Sequence, residues 1–481
     1  MKILFAASEA VPIVKTGGLA DVVGALPKAL APLGYEAAVI LPLYGETPDA
    51  IRRTLRRIGV FRVQLGWRNQ RCELYRTELD GIAYYLIGND YYYDRGSLYG
   101  YDDEAERFVF FCFAVLEAMP LLGWQPSLIH CHDWQTGLIP FLLRTRYSQD
   151  PGTRGIRSVF TIHNLRYQGV FSRETLADLL GIGDEWFTTE GLEFYGGGSC
   201  MKGGLFYADK LTTVSRTYAE EIQTAAYGER LEGVLQKRKE DLVGIVNGID
   251  VDSFNPMNDP HVAFPYRRSL GKKRKNKIAL QRQLGLTESS DAPLIGIVSR
   301  LVEQKGLDLV EGILERLLLT EPDVQLVVLG TGEPRYEALF RHTAAQLPER
   351  AAVHNGFDDA LARQIYAGSD LYLMPSQFEP CGLSQLIALR YGSVPIVRET
   401  GGLRDTIQAY DEYTSRGTGF SFRQYDADEL LHTVRRALSL YRDDAKWQHI
   451  VDQGISKDYS WSSSAREYAA VYRELAGFGK G

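Results

Sequence analysis

Long hydrophobic runs are missing from this sequence. No apolar run reaches the roughly 18 residues that a membrane-spanning helix needs, so we expect a protein without membrane contact. The N-terminal MKILFAASEA has the positive-then-apolar order of a secretory signal, but its apolar segment is only about six residues long and Glu9 interrupts it. We therefore predict a buried first strand here rather than a signal peptide.

Cysteine is scarce and follows no recognisable pattern. The five cysteines are odd in number and contain no CxxC spacing, which argues against both a disulfide framework and paired zinc ligands. We expect reduced thiols and a cytoplasmic protein. The five residues are Cys72, Cys112, Cys131, Cys200 and Cys381.

Basic charge is not in excess either. The chain has 54 lysines and arginines against 61 aspartates and glutamates, which gives a formal net charge of −7. A general affinity for nucleic acid usually requires a net basic face, so we expect no nucleic-acid partner. A local basic cleft for a small anionic ligand is compatible with this balance.

What the sequence does contain is enough apolar residues for more than one core. With 481 residues, 45% of them hydrophobic, the chain is long enough for two or three domains. Apolar runs typical of buried strands alternate with amphipathic stretches of helix length, which predicts an α/β fold whose parallel sheets are covered on both faces. The predicted strands are KILFAA, AAVILPL, SLIHC, SVFTIH, KLTTVS and LVGIVN in the first half, and LIGIVSR, VQLVVLG, AAVHNGF, LYLMPS and SVPIVRE in the second.

Two segments interrupt this alternation. NGIDVDSFNPMNDP (247–260) is rich in Asn, Asp, Gly and Pro and predicts a linker. The tail DYSWSSSAREYAAVYRELAG predicts a terminal helix, because its apolar and aromatic residues recur at helical spacing.

A glycine-rich stretch occurs twice. KTGGLADVV (15–23) is echoed by ETGGLRDTI (399–407), and we interpret each as following a strand directly and opening a helix. Either the echo is chance, or two similarly built α/β domains each present a glycine loop to a shared cleft. Open α/β sheets bind ligands beyond the carboxyl ends of their strands, which favours the second interpretation.

Lys15, Gly17 and Gly18 in the first of these stretches suit a phosphate. Paired glycines allow a close backbone approach, and a helix N-terminus offers free N–H groups. Lys15 strengthens this interpretation, since a cation beside a helix N-terminus is unfavourable without an anion. The alternative is a tight turn, because the stretch matches neither GxGxxG nor GxxxxGK[ST].

Charged residues follow two predicted strands of the second half. Arg300 and Lys305, in GIVSRLVEQKGLDLV, can hold a diphosphate, the arginine as a fork and the lysine as a point charge; a solvated loop is the alternative. Glu379, in SQFEPCGLSQL, can accept hydrogen bonds from sugar hydroxyls or offset a developing positive charge. Its alternative role is helix capping, with Gly382 opening the helix.

The stretch LIHCHDWQTGL (128–138) contains a pair of histidines on one strand. His130 and His132 share one face and Cys131 the other, and no third ligand follows at zinc spacing, so we predict no metal site. We expect a buried structural role for at least one histidine of the pair. Asp133, at the strand's end, suits a polar contact with a sugar.

The stretch FTIHNLRYQG (160–169) places His163 and Asn164 at another strand end. A lone histidine is more often structural, but its position matches that of the other polar clusters. Five such clusters, drawn from both halves, favour a cleft between domains that binds an anionic ligand. The 28 tyrosines are compatible with a carbohydrate ligand.

Taken together, these motifs resemble the family of bacterial glycogen synthases and plant starch synthases from end to end. The resemblance implies two Rossmann-like doubly wound domains facing each other across a deep cleft, the GT-B type of fold. It implies an N-terminal acceptor-side domain (1–246), a nucleotide-sugar donor domain (247–457) and a C-terminal helix (458–481) that crosses back to the first domain. The matching elements, in family order, are KTGGLADVVGALPKAL, HCHDWQTGLIP, FTIHN, YADKLTTVS, VNGIDVDSFNP, SRLVEQKGLDL, EPCGLSQL and ETGGLRDT.

The resemblance implies a hexosyltransferase that transfers glucose from ADP-glucose to the non-reducing 4-OH of an α-1,4-glucan such as glycogen. The anomeric configuration is retained, and neither a metal nor a cofactor is implied. Retention usually indicates a carboxylate nucleophile, but the family has no agreed one; the usual proposal is that the leaving phosphate oxygen takes the acceptor's proton. The alternatives are a related transferase using UDP-glucose or another acceptor, and a catalytically silent glucan-binding protein.

Carried over by motif, the resemblance implies roles for fourteen residues. Arg300 and Lys305 would stabilise the departing diphosphate, Lys15 would contact the donor's phosphates, and Glu379 would bind glucose and favour an oxocarbenium-like transition state. His163 would hold the glucose near its 6-OH. The implied catalytic residues are Glu379, Arg300, Lys305, His163 and Asp133, and the implied substrate-binding residues are Lys15, Gly17, Gly18, Asn164, Asn247, Cys381, Gly382, Leu383 and Ser384. The unusually basic segment SLGKKRKNK (269–277) departs from the family pattern, and contact with glucan is left open there.

Overall fold

The computed structural model describes residues 1–477, and the chain divides into two compact units. The first unit comprises Met1–Asn247 together with the segment from Trp461 onward, and the second comprises Gly248–Ser460. Asn247, placed by the sequence at the start of the second domain, is grouped with the first unit.

The first unit is built on a mixed sheet, to which the N-terminal segment contributes a buried strand, as predicted. In the described residues this sheet has nine strands in the order β12-β11-β7-β6-β1-β2-β5-β4-β3, and a separate antiparallel sheet has the order β8-β10-β9. The strands are β1 (Lys2–Ala6), β2 (Glu36–Pro42), β3 (Arg56–Leu65), β4 (Arg68–Leu79), β5 (Ile82–Gly88), β6 (Leu128–His132), β7 (Arg157–Ile162), β8 (Val170–Ser172), β9 (Glu193–Phe194), β10 (Gly197–Ser199), β11 (Lys210–Thr213) and β12 (Leu242–Gly244).

Seven strands of the large sheet are parallel, and β3 and β4 extend it as an antiparallel edge. In register, Phe5 of β1 lies beside His130 of β6, and His132 of β6 lies beside Thr161 of β7. These pairings bring the carboxyl ends of β1, β6 and β7 to one edge. The helices of this part of the chain are α1 (Gly18–Leu30), α2 (Asp49–Arg52), α3 (Asp90–Tyr93), α4 (Glu104–Glu117), α5 (Leu138–Arg144), α6 (Arg173–Leu180), α7 (Cys200–Tyr207), α8 (Arg216–Glu221) and α9 (Glu232–Lys237).

The second unit has one parallel sheet of six strands in the order β15-β14-β13-β16-β17-β18. Its strands are β13 (Leu294–Val298), β14 (Gln325–Leu329), β15 (Ala351–His354), β16 (Leu371–Met374), β17 (Val394–Arg398) and β18 (Phe420–Phe422). Its helices are α10 (Leu270–Leu284), α11 (Leu307–Thr320), α12 (Pro334–Gln346), α13 (Asp359–Gly368), α14 (Ser384–Arg390), α15 (Gly401–Thr406), α16 (Ala427–Tyr441) and α17 (Asp444–Ile455); the chain then returns to the first unit as α18 (Trp461–Gly477). Short 3-10 helices lie at Ala31–Leu33, Met119–Leu121, Trp134–Thr136, Asp184–Trp186 and Glu303–Lys305.

Strand β14 shows why these strands are mostly apolar. Leu326 and Val328 pack into a core with α11, α12, α16 and α17, whereas Val327 and Leu329 pack on the opposite face with α10 and α13. Successive side chains of a strand point to opposite faces, so a strand covered on both sides is apolar at most positions, and its buried polar Gln325 is hydrogen-bonded. The predicted α/β fold with parallel sheets is found in both units, apart from the antiparallel β3, β4 and small sheet, which the sequence did not predict.

The terminal helix α18 forms as predicted and packs on the first unit. Ala465, Tyr468 and Tyr472, which recur at helical spacing, are buried there. The hydroxyl of Tyr35 donates to the carbonyl of Ala469 at 3.1 Å, which fixes the helix against the chain after α1. No helix within residues 1–477 combines the length and apolar character needed to cross a membrane.

Candidate active site

Three polar residues of the first unit, two of them predicted for the site, follow the carboxyl ends of neighbouring strands. Glu9 comes after β1, Asp133 after β6 and His163 after β7, and these three strands are adjacent in the sheet. Since the strands are parallel, the three side chains meet at one edge, where open α/β sheets bind their ligands.

The loop that leads into α1 has open space above it. Helix α1 begins at Gly18, no described side chain caps its N-terminus, and a Cβ added to Gly17 or Gly18 would meet no atom within 4 Å. The loop does not follow a strand directly, as the sequence had indicated, because β1 already ends at Ala6. Nor is Lys15 without a counter-ion: its Nζ lies 2.8 Å from Oδ1 of Asp21 in the first turn of α1.

Glu9 holds this loop in place, and the sequence interpretation missed it. Its buried carboxylate accepts hydrogen bonds from the N–H of Thr16, from the Thr16 hydroxyl at 2.9 Å and from the N–H of Gly17 at 3.2 Å. The Tyr99 hydroxyl donates to the same carboxylate at 3.0 Å. The available signal was a charged residue directly after a buried apolar strand, where an unpaired carboxylate would be costly.

Asp133 occupies a strained position that braces the next strand end. Its backbone has φ +56° and ψ −177°, a region that residues other than glycine rarely adopt. Oδ1 accepts the backbone N–H of His163 at 2.7 Å and, more weakly, that of Asn164 at 3.5 Å. Burial raises the pKa of Asp133 to about 7, although these two N–H groups act in the opposite direction.

The histidines form a contiguous buried group. His130 Nδ1 lies 2.8 Å from the Tyr472 hydroxyl of α18, and its Nε2 lies 2.6 Å from the Thr161 hydroxyl. This is the structural role expected for at least one of the strand histidines. His132 Nδ1 lies 2.9 Å from His163 Nε2, so the second strand histidine contacts a predicted site residue instead.

Burial keeps these imidazoles neutral. It lowers the pKa of His130 and of His163 to about 3, and that of His132 well below its ordinary value. Within residues 1–477, no group of three or more histidines, cysteines, aspartates or glutamates is arranged to hold a metal ion.

In the second unit, Lys305 and Glu379 form an ion pair. Lys305 Nζ donates to Glu379 Oε2 at 2.6 Å, and the Ser376 hydroxyl donates to the same oxygen at 3.1 Å. The pair forms because β13 and β16 are neighbours, so the segments that follow them meet. Arg300, two residues after β13, is exposed and has no ion pair within the described part of the chain.

The segment after Glu379 packs against the second glycine stretch. Gly382 has φ +72° and precedes the helix, so α14 begins at Ser384 rather than at Gly382 as predicted. A Cβ at Gly401 would lie 2.0 Å from the Glu379 carbonyl oxygen, and one at Gly402 would lie 2.0 Å from that of Cys381. The glycines of ETGGLRDTI thus admit the protein's own backbone, whereas those of KTGGLADVV face open space.

Three further predicted residues have distinct surroundings. The Ser384 side chain lies beside the buried Tyr366 and Tyr372, and its presence lowers the pKa of both tyrosines, against the larger upward effect of their burial. Leu383 is the residue before α14. Asn247 follows β12 and is buried, and its Oδ1 has no hydrogen-bond partner among residues 1–477.

The structure therefore brings the predicted residues together in two groups. In the first unit, Asp133, His163 and Asn164 are in contact. Glu9, which holds the Lys15 loop, lies near enough to raise the pKa of Asp133 further. In the second unit, Lys305 and Glu379 are in contact, and Cys381 lies against the glycine stretch that follows β17.

Comparison with known proteins matches most of the chain. Residues 2–237 match the family model for the starch synthase catalytic domain, and residues 283–451 match that for glycosyl transferases group 1. A glycogen synthase from Desulforamulus reducens is 53% identical over 99% of both chains, and one from Anoxybacillus flavithermus is 51% identical over 99% of this chain and 98% of its own. The solved catalytic domain of starch synthase IV from Arabidopsis thaliana, bound to ADP and acarbose, matches with a TM-score of 0.90 and 34% identity over 99% of both chains.

Proposed function

Because the chain belongs to the glycogen synthase family, we propose that it transfers glucose from ADP-glucose to the non-reducing 4-OH of an α-1,4-glucan, with retention at the anomeric carbon. Membership of this family confirms the resemblance found in the motifs. It also confirms that the chain is a glycosyltransferase with two α/β domains of the GT-B type.

The observation that carries the proposal is the group of charges after β13 and β16. Lys305 is paired with Glu379 at 2.6 Å, and Arg300 stands nearby in sequence without an ion pair in the described residues. This arrangement suits a nucleotide sugar, because the two cations can bind its anionic diphosphate and the carboxylate can bind the hydroxyls of its neutral sugar. The solved starch synthase that this chain resembles was bound to ADP, which supports the same donor.

In this proposal Arg300 and Lys305 bind the diphosphate and stabilise it as the leaving group. Charge develops on the phosphate oxygen as the glycosidic bond breaks, and fixed cations stabilise that charge without reorganising. Glu379 then has two duties: it holds Lys305 before the donor arrives, and it offsets the positive charge that develops on glucose. The backbone that carries Glu379 is fixed by the N–H of Gly402, which donates to its carbonyl oxygen at 3.1 Å.

On the first unit, we assign the donor's phosphates to the open loop of Lys15, Gly17 and Gly18. A helix N-terminus with open space above it binds phosphate through its N–H groups. The glucose would be held by His163, with Asn164 beside it. Asn247 would offer the sugar its Oδ1, which has no hydrogen-bond partner in the described part of the chain. Asp133 braces the His163 turn through Oδ1 and is half-protonated near neutral pH, so we assign no nucleophile to it.

Retention then proceeds without a protein nucleophile in this proposal. As the bond between the anomeric carbon and the phosphate oxygen breaks, the glucan 4-OH oxygen attacks that carbon on the same face. The leaving phosphate oxygen accepts the proton of the attacking hydroxyl. We assign the glucan acceptor to the first unit and the nucleotide to the second, with Lys15, His163 and Asn247 as the first unit's contribution to the donor. Cys381, Gly382, Leu383 and Ser384 lie at the start of α14, where the diphosphate or ribose would be held.

We further propose a cytoplasmic location. All five cysteines are buried and none is in a disulfide, which fits a reducing compartment. A fractionation experiment that found the protein outside the cytoplasm would contradict this placement.

Incorporation of labelled glucose into glycogen tests the function directly. ADP-glucose and UDP-glucose are supplied in parallel to the wild type, to Lys305→Ala and to Lys239→Ala, whose side chain is an exposed cation after α9. We expect strong turnover with ADP-glucose, a loss of at least 100-fold in Lys305→Ala and no change in Lys239→Ala. Preference for UDP-glucose would overturn the donor assignment, and silence with both donors would overturn the activity.

A further inference from the structure

His132 is a buried residue with an unusual hydrogen-bond balance. It lies in β6 with no exposed surface, and its Nδ1 is 2.9 Å from Nε2 of His163. Its other ring nitrogen, Nε2, is buried and has no hydrogen-bond partner within residues 1–477. Buried polar atoms are nearly always paired, so this exception needs a physical reason.

The missing partner of His132 Nε2 within the described residues indicates which tautomer each histidine of the pair adopts. A neutral imidazole has one N–H donor and one bare acceptor, and the hydrogen bond made by one nitrogen sets the state of the other. A buried N–H without a partner is rarer than a buried acceptor without one, so the proton of His132 belongs on Nδ1. His132 Nδ1–H then donates to His163 Nε2, and the proton of His163 must lie on its own Nδ1.

The ring of His132 is held in the orientation that this bond requires. It stacks on His130 with ring centroids 4.3 Å apart and on Phe5 at 5.9 Å. His130 is fixed in turn by the hydroxyls of Tyr472 and Thr161. Burial keeps both members of the pair neutral, since it lowers the pKa of His163 to about 3 and that of His132 well below its ordinary value.

We propose that His132 is a positioning residue that fixes His163 as its Nδ1–H tautomer, so that His163 presents a hydrogen-bond donor to the glucose of the nucleotide sugar. The assignment of glucose to His163 rests on the function proposed above, whereas the tautomer rests on the His132–His163 contact alone. In this arrangement the sugar hydroxyl near His163 accepts a hydrogen bond rather than donating one.

Two amide substitutions of His132 separate positioning from packing. The carboxamide of His132→Asn can take the place of Nδ1 and donate to His163, whereas that of His132→Gln reaches toward the position of Nε2 and leaves His163 without its partner. A merely structural role would reduce activity in proportion to stability in both variants. We expect His132→Asn to keep kcat/KM within about fivefold of the wild type and His132→Gln to lose at least 20-fold, with thermal stability measured alongside.

A donor that lacks the 6-hydroxyl tests where the effect is transmitted. The wild type and His132→Asn should prefer ADP-glucose over ADP-6-deoxyglucose at least tenfold in kcat/KM, and His132→Gln should discriminate less than threefold. Equal discrimination in all three proteins, or equal losses in the two amide variants, would overturn the positioning role.

Histidine ring ¹⁵N spectra of the full-length protein give a readout that needs no turnover. Assignment by single His→Gln variants identifies His132 and His163 among the eight histidines. We expect a protonated Nδ1 on both residues in the wild type, and a tautomer mixture at His163 in His132→Gln. A wild-type protein that transfers no glucose but shows this pattern would refute the proposed function and leave the tautomer standing, whereas a protonated Nε2 on His163 would overturn the inference whatever the activity.

Discussion

At the scale of single residues, the ion pair of Lys305 and Glu379 makes an unusual prediction for ligand affinity. Glu379→Gln keeps the shape of the side chain but removes a negative charge close to the proposed diphosphate. Removing such a charge is worth on the order of 1–2 kcal/mol at an effective dielectric constant near 20, so ADP should bind about tenfold more tightly. Glucose transfer should nevertheless fall at least 100-fold, since the carboxylate is lost. Calorimetric titration with ADP and a turnover assay measure the two effects.

Lys305→Met is the matched control for that experiment. It leaves Glu379 without its cation and should weaken ADP binding and transfer together. Weaker ADP binding in Glu379→Gln would contradict the placement of the diphosphate beside Lys305.

The raised pKa of Asp133 should make the stability of the protein fall as the pH rises. Its pKa is raised to about 7 in the folded protein, whereas an aspartate in the unfolded chain titrates near 3.9. The folded state holds the extra proton between these values, so this contribution is complete below about pH 4 and is lost as the pH rises to about 7. Relative to Asp133→Asn, the wild type should lose roughly 4 kcal/mol of unfolding free energy between pH 4 and pH 8. Urea unfolding at several pH values measures this, and parallel curves for the two proteins would contradict it.

The residue types of the site were predictable from the sequence, but their partners were not. Lys305 and Glu379 were singled out separately, and their contact depends on the adjacency of β13 and β16, which lie more than 70 residues apart in sequence. Glu9 was seen only as an interruption of an apolar run. Its hydrogen bonds to Thr16 and Gly17 depend on how the chain turns after β1, and no short-range pattern encodes that turn.

At the scale of elements, the start of α1 predicts a change in donor affinity without a change in stability. Gly18→Ala adds a methyl group to open space in the unliganded protein, so the melting temperature should stay within about 2 °C. If a phosphate approaches this helix end, the same methyl group should raise the KM for ADP-glucose at least tenfold. Gly233→Ala, in α9 with equally open space, is the control and should leave KM unchanged. An unchanged KM in Gly18→Ala would exclude a close phosphate contact there.

Helix α10 shows that part of the basic segment 269–277 is structural. The buried Lys273 Nζ donates to the carbonyl oxygens of Tyr366, Ala367 and Tyr391 at 2.9–3.1 Å, at the ends of α13 and α14. Lys273→Met should destabilise the second unit by about 3 kcal/mol, because three buried carbonyls lose their donor. Lys272→Met, an exposed neighbour, should change stability by less than about 0.5 kcal/mol. Denaturant unfolding distinguishes the two, and equal effects would contradict a buried role for Lys273.

Most strands buried on both faces were predictable, although β5 and β18 were missed, and the strands exposed on one face were not. All eleven predicted strands form, because short apolar runs such as VQLVVLG are stable only where both of their faces are covered. Strands β3 and β4 were missed because arginines and other polar residues alternate with their apolar ones, as expected of an edge that faces water. The two glycine stretches are similar in sequence but differ in their surroundings. Gly401 and Gly402 pack against the backbone of the protein, whereas Gly17 and Gly18 face open space.

At the scale of the whole molecule, the contacts of α18 make the stability of the first unit, but not that of the second, depend on this helix. Tyr472 contacts His130, Glu474 pairs with Lys210 at 3.2 Å, and the Ser464 hydroxyl donates to the Val246 carbonyl at 2.7 Å. A chain ending at Ser460 should therefore lose exchange protection throughout the first unit and keep it in the second. Hydrogen exchange read by mass spectrometry resolves the two, and uniform loss of protection would contradict independent cores.

A milder variant makes the same test within the intact chain. Tyr472→Phe removes the hydroxyl that faces His130 Nδ1 and should lower the stability of the first unit by about 1–2 kcal/mol. The second unit should be unaffected. The family resemblance implied that the terminal helix crosses back to the first domain, and α18 is grouped with the first unit. Its contact with His130 was not foreseen, because the sequence shows the apolar stripe of the helix but not the histidine that it covers.

Helix α18 also sets an order of events during synthesis. The ribosome completes the first 247 residues, then the whole second unit, and only afterwards releases the tyrosine that contacts His130. At roughly 5–20 residues per second, the first unit waits on the order of 10–40 s for its last helix. During that interval the second unit can fold completely, while the histidine cluster of the first unit still lacks its contact with Tyr472 of α18. The half that is translated first is thus the half that matures last.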